Sequence, residues 1–314
     1  IFISGLVAGW ILSSSNNNSS QYFNEERLGE YEFINPLLEC EGSDGVEFKE
    51  LKSFKTAVKS LIQKKLAERS SNFISVYFRD LNNGPWFGIN EKEALYPASL
   101  FKVPIMVALL KQAEQDNVFL KKNLSYIGVE HPSNKAQYFK PSQKLVVGNI
   151  YSIENLIYRM ITSSDNDSMD LLLTSVDPNI LNSVYKDFRV ETPSADNVST
   201  YQISVKNYAS FFRILFNASY LKPELSNLAL SILNEVEFKN GLISGVPATI
   251  KVAHKFGERN SYDQKQLHDC GIVYYPNHPY LLCVMTRGNN LDILAKTIAD
   301  ISRLVYQEIY KQFK

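Results

Sequence analysis

The sequence predicts an α+β protein in which a five-stranded antiparallel sheet, flanked by helices from both ends of the chain, carries an all-helical subdomain. Three observations predict it. A helix and a hairpin come first, a helical stretch fills the middle, and three strands with a closing helix come last.

From Phe48 to Arg69, the apolar residues Phe54, Val58, Leu61, Ile62 and Leu66 recur at helical spacing among lysines, the pattern of an amphipathic helix. "FISVYFRDL" and "PWFGINEKEALY" follow, joined by "NNG", and read as a hairpin whose turn residues tolerate positive φ. From about Ala98 to Asn234, "LFKVPIMVALLKQAEQ", "IENLIYRMITSS", "NDSMDLLLTSV", "NILNSVYKDF" and "VKNYASFFRILF" each carry one apolar stripe, so this part is expected to be mostly helical. "ATIKVAHKFGE", "LHDCGIVYYP" and "PYLLCVMTRG" read as strands, and "NLDILAKTIADISRLVYQEIYKQF" as a long amphipathic helix. The folded domain is expected over 48–314, with the helical subdomain over about 98–234.

The 314 residues are 45% hydrophobic and 21% charged, enough for a sizeable core. Lys plus Arg equals Asp plus Glu at 33 each, so no net field draws nucleic acid. His131, His254, His268 and His278 form no H-x-H or H-E-x-x-H arrangement, and neither metal nor cofactor is expected. Cys40, Cys270 and Cys283 form no C-x-x-C pair. If Tyr275 faces Tyr280 across "PNHP", Cys270 and Cys283 are diagonal neighbours roughly 7 Å apart, so buried free thiols are expected. The chain opens on the uncharged apolar run Ile1–Leu12, followed by "SSSNNNSS". We read 1–47 as a truncated signal or membrane anchor with a Ser/Asn-rich linker, and expect an extracytoplasmic, envelope-associated monomer.

Three motifs carry chemistry. In "YPASLFKVPIM", Ser99 and Lys102 stand three residues apart at the start of a helix, so the amine lies near enough to accept the hydroxyl proton. Pro104 fits the first helical turn, whose N–H groups have no helical partner. The same S-x-x-K spelling recurs at Ser183 to Lys186 and Ser219 to Lys222, and a serine at a helix start is often only an N-cap. "TSSDNDS" holds Ser164, Asp165 and Asn166 between two helical segments, where a short loop aims Ser164 and Asn166 inward. In "KVAHKFGE", Lys255 ends a strand and points its charge into a cleft, and Gly257 permits close approach of a substrate backbone.

In this order, "SLFK", "SDN" and "KFG" resemble the S-x-x-K, S-D-N and K-T-G set of class A β-lactamases and penicillin-binding proteins. The flanks of the motifs look similar too, from about Phe48 to the C-terminus. The resemblance implies the class A β-lactamase or D,D-peptidase fold and an active-site serine hydrolase acting on a β-lactam or a peptidoglycan peptide. Ser99 corresponds to the acylated nucleophile, Lys102 to its base, Ser164 to a proton relay and Asn166 to a substrate-binding amide. Lys255 corresponds to a source of positive potential, and the backbone N–H groups of Ser99 and Glu258 to the oxyanion hole.

Two departures qualify what the resemblance implies. No E-x-x-L-N occurs between Asp167 and Ser204, so the Glu that positions a deacylating water is missing; Glu191 is the sole Glu there, and Glu191 or Asp196 is the candidate substitute. Deacylation of β-lactams is therefore expected to be slow. Phe256 replaces the hydroxyl residue of K-T-G and cannot donate to a substrate carboxylate, and Arg259 is the nearby substitute cation. A degenerate member that only binds a cell-wall peptide or partner protein is the alternative. Tyr138 is expected to pack in the core.

Overall fold

A computed structural model of the chain describes residues 24–27, 29, 31–41, 51–82, 84–193, 200–262 and 264–314. The expected anchor Ile1–Leu12, its Ser/Asn tract and Asp196 lie outside them. Strands β1 (Asn24–Arg27) and β2 (Leu37–Glu41) form an antiparallel ribbon. Helix α1 (Lys52–Ala67) precedes the hairpin of β3 (Phe73–Asp80) and β4 (Trp86–Ile89) and the short β5 (Ala94–Leu95). The helical stretch then comprises α2 (Lys102–Ala113), the small ribbon β6 (Asn123–Ser125) and β7 (Ile150–Ser152), α3 (Ile153–Thr162), α4 (Asn166–Leu173) and α5 (Pro178–Asp187). After β8 (Ile203–Ser204), which pairs with β5, come α6 (Val205–Phe216) and α7 (Pro223–Asn234). Strands β9 (Val252–Asn260), β10 (Lys265–Val273) and β11 (Tyr280–Gly288) lead into α8 (Leu291–Phe313).

The main sheet has the order β4-β3-β11-β10-β9, antiparallel throughout. Its first two strands and last three come from opposite ends of the chain, as expected, and β11 joins them in the centre. Helices α1 and α8 pack together, α1 against β4 and α8 against β10 and β11, while α6 packs on β3, β10 and β11. The α1 side chains are chosen for this: Phe54, fully buried, meets Phe78 and Phe87 edge-on at 4.8 and 5.0 Å. Because β9 is an edge strand, alternate N–H and C=O groups along it have no partner in the ladder and face the helical stretch.

Two expectations need correction. The β10–β11 register places Val273 opposite Tyr280, two residues away from the Tyr275–Tyr280 pairing, so Cys270 stands directly opposite Cys283. The pair is a disulfide in the sheet interior, not two free thiols. Part of the stretch read as linker is also folded. Phe33 and Ile34 are buried, the Asn35 and Leu37 amides donate to the Phe216 and Asn217 carbonyls, and the Tyr274 hydroxyl donates to the Phe33 carbonyl. This strap ties α6 to the end of β10. No helix among the described residues is long and apolar enough to cross a membrane.

Candidate active site

Ser99 sits on a 3₁₀ turn, Ala98–Phe101, that runs directly into α2 at Lys102. Neither the turn nor α2 has a side-chain cap, so the N-cap role that a serine often takes at a helix start is not the role of Ser99. Ser99 is partly exposed, which leaves its hydroxyl open to a ligand. Ala98, just before it, is held at φ 49°, a conformation that costs an alanine about 1–3 kcal/mol. The turn packs on β9, and Gly257 makes that contact possible. A Cβ there would stand 2.7 Å from the Pro97 carbonyl oxygen and 3.0 Å from the Leu100 amide nitrogen. The close approach at Gly257 is thus made by the serine turn. The competing serines and lysines, Ser183 with Lys186 and Ser219 with Lys222, are all exposed.

Lys102 is fully buried. Its Nζ donates to the Ser164 carbonyl oxygen and to Asn166 Oδ1, both at 2.6 Å, and lies 3.3 Å from Ser164 Oγ. Ser164 adopts φ 55°, which turns its carbonyl toward the amine, and Asp165 then caps α4 by accepting from the Asp167 amide at 3.1 Å and the Ser168 hydroxyl at 2.5 Å. Burial lowers the Lys102 pKa from 10.5 to about 7, against the opposing charges of Asp165, Asp170, Glu258 and Asp167. A neutral amine has two N–H groups and one lone pair. With both N–H groups spent on the two short acceptors, the lone pair remains to accept a hydroxyl proton.

Lys255 is also fully buried, midway along β9, which continues past Gly257 to Asn260. Its Nζ donates to the Phe256 carbonyl at 3.1 Å and stands 4.4 Å from the centre of the Phe256 ring. Burial holds its pKa well below 10.5, and the charge of Lys102 pushes the same way. These two amines resist being charged together, which weakens Lys255 as a source of positive potential. Phe256 is buried and stacks on Phe238 at 4.4 Å with Phe139 edge-on at 5.9 Å. Where K-T-G would present a hydroxyl, an aromatic wall stands beside a cavity of about 430 Å³. Arg259 is exposed and lies over the Tyr96 ring at 4.7 Å.

Around this centre the structure adds residues that carry no sequence motif. The Asn166 amide donates to Asn134 Oδ1 at 3.0 Å, and Asp167 Oδ1 accepts from the His131 amide at 2.7 Å and from Asn134 Nδ2 at 2.8 Å. The Glu258 carboxylate, predicted only through its backbone, accepts from the amides of Tyr138 and Phe139 at 3.1 and 2.9 Å and so fastens that segment to β9. Tyr138 is correspondingly not a core residue: its side chain is exposed and its hydroxyl donates to Asp292 Oδ2 at 2.6 Å, making it part of the rim. Of the two acidic substitutes named from sequence, Glu191 is exposed and acts electrostatically on Tyr201. One signal was readable: "NDSMD" puts Asp170 one helical turn after Asn166 on the same face.

This arrangement, on this sheet, defines a hydrolase of the β-lactamase type. The family model described as the beta-lactamase enzyme family matches residues 54–309, and the chain belongs to that family. Among solved structures, PBP-A matches at 23% identity over 82% of this chain and 97% of its own, with a TM-score of 0.67. A β-lactamase from Chitinophaga pinensis matches at 19% over 81% and 99%, also with a TM-score of 0.67. The TLA-1 extended-spectrum β-lactamase matches at 18% over 81% and 98%, with a TM-score of 0.68. At such identities the likeness establishes the shared fold. A search of the curated proteins finds no match.

Proposed function

We propose that the protein is an active-site serine hydrolase that forms an acyl-enzyme on Ser99, with a β-lactam or a peptidoglycan peptide as acyl donor. The observation that carries this reading is the buried Lys102, pinned by Ser164 and Asn166 three residues after a serine that caps nothing. Lys102 Nζ takes the Ser99 proton while Oγ attacks the carbonyl, and the N–H groups of Ser99 and Glu258 receive the developing oxyanion. On collapse the C–N bond breaks, and the leaving nitrogen takes a proton from the lysine by way of the Ser164 hydroxyl. Asn166, held by Lys102 and Asn134, keeps its side chain in place to meet the acyl group's amide. A PBP-A variant of the same fold, 21% identical, was solved as an acyl-enzyme with penicillin G, which supports this class of donor.

The missing E-x-x-L-N favours slow release of the acyl group, the behaviour of a penicillin-binding peptidase. The apolar opening segment favours work in the cell envelope by a membrane-tethered protein. Phe256, in its aromatic cluster, favours a second reading, a module that binds a cell-wall peptide without catalysis. Intact-mass measurement after mixing with penicillin G separates the two. Wild type is expected to gain the mass of the drug and Ser99→Ala to gain nothing; no gain in wild type sinks the acyl-enzyme reading for β-lactams.

A further inference from the structure

The acyl-enzyme needs a base to activate the water that clears it, and the loop that carries that base in class A enzymes lacks it here. We propose that Asp170 is that base, resting on the reading of Ser99 as the acylated nucleophile.

The assignment follows by elimination among the carboxylates near Lys102. Among the described residues, four act electrostatically on its amine: Asp165, Asp170, Glu258 and Asp167. Asp165 is committed to capping α4, through the Asp167 amide and the Ser168 hydroxyl. Asp167 holds the His131 amide and Asn134, and Tyr126 bonds to it as well. Glu258 holds the amides of Tyr138 and Phe139. Each of these three, if it took a proton, would give up bonds that hold the site together. Asp170 has no hydrogen-bond donor among the described residues. It faces His131 Nε2, 3.8 Å from Oδ1.

Position and access agree with the choice. Asp170 lies four residues after Asn166 on α4, so its Cβ is about 5–6 Å away along the face that Asn166 presents to Lys102. Its side chain is 39% exposed, so water reaches it. The tautomer of His131 is set by its other nitrogen. Nδ1 accepts from the Ser133 amide at 3.1 Å, so the neutral ring carries its proton on Nε2, facing Asp170. Four groups set the basicity of this carboxylate besides its burial. Burial, Asp167 and Asp165 raise its pKa; His131 and Lys102 oppose them, and the outcome lies above the ordinary carboxylate value. A base moved toward neutrality is the better proton acceptor.

The step balances without any other reactant. Asp170 takes one proton from water as the oxygen bonds to the acyl carbon. The tetrahedral intermediate collapses, the bond to Ser99 Oγ breaks, and the proton held by Asp170 is returned to Oγ by way of Lys102, which takes one proton and gives one. The acid product leaves, with Ser99, Lys102 and Asp170 back in their starting protonation states. An Asp is one methylene shorter than the Glu it replaces, which fits slow clearance.

The test follows the penicillin G adduct by intact mass for wild type and Asp170→Asn across pH 5–8. Both proteins are expected to form the adduct, with clearance slowed about 100-fold or more in Asp170→Asn. Wild-type clearance should rise with pH as Asp170 ionises, and in the variant this rise should vanish. Clearance by Asp170→Asn at the wild-type rate, or a wild-type adduct that never clears, overturns the assignment while leaving Ser99 as nucleophile. Absence of any wild-type adduct instead overturns both readings. Circular dichroism of Asp170→Asn establishes that the variant is folded, and Asp170→Glu, which restores a carboxylate, is expected to recover clearance.

Discussion

Lys102 concentrates the physical tension of the site in one side chain. An amine removed from water prefers to be neutral, and the two acceptors at 2.6 Å hold it in place in that form. Neutral Lys102 exists above its pKa of about 7, so acylation of Ser99 should rise with pH between 6 and 8 and then level off. Stopped-flow measurement of acylation by a chromogenic cephalosporin checks this, and Lys102→Met is expected to lose 100-fold or more and to show no such rise. Stability is linked to the same group. The folded pKa is depressed from 10.5, so below it the unfolded chain binds the proton that the native state refuses, and the stability drawn from Lys102 falls as pH drops from about 10.5 to 7.

At the scale of elements, the site is a meeting of three pieces: the serine turn, the loop between α3 and α4, and the edge strand β9. Gly257 sets how closely β9 and the serine turn approach, because its missing side chain leaves room for the Pro97 carbonyl. Gly257→Ala should push these pieces apart. The expected cost is about 1–3 kcal/mol, read as a lowered urea midpoint, together with slower acylation because the turn carrying Ser99 has moved. The loop between α3 and α4 has its own anchors. Glu237 accepts from the Ser163 hydroxyl at 2.8 Å and the Ser142 hydroxyl at 2.7 Å, which ties the loop to the rim.

Across the whole molecule, the sheet half and the helical half share the interface in which Ser99, Lys102 and Lys255 lie. The N-terminal strap bridges the halves from outside the stretch that matches the family, 54–309. Phe33 packs edge-on against Tyr274 at 5.6 Å, its amide donates to Asn227 Oδ1 on α7 at 3.2 Å, and Arg27 donates to Asn217 Oδ1 at 3.1 Å. Phe33→Ala should cost about 3 kcal/mol by thermal or urea unfolding, while acylation of the folded protein stays unchanged.

Sequence periodicity by itself determined the five strands of the main sheet, most of the helices and their order, but not the ribbons β1–β2, β5–β8 and β6–β7 or helix α7. Helical and strand patterns are local, because the face a residue occupies depends only on its neighbours a few positions away. The spacing of Ser99 and Lys102 was legible for the same reason, as was the loss of the K-T-G hydroxyl at Phe256. Tertiary structure alone decided which residues meet. Lys102 finds Ser164 and Asn166 across more than 60 intervening residues, and Asn134, His131 and Glu258 arrive from segments without a motif. Cys270 and Cys283 show the limit most plainly. Their strands were legible, but a two-residue difference in register separates diagonal thiols from a bonded pair, and the alternation of apolar residues is the same in both registers. Burial likewise cannot be read from a residue's type, and burial is what makes Lys102 a base and leaves Asp170, one turn beyond Asn166, within reach of water.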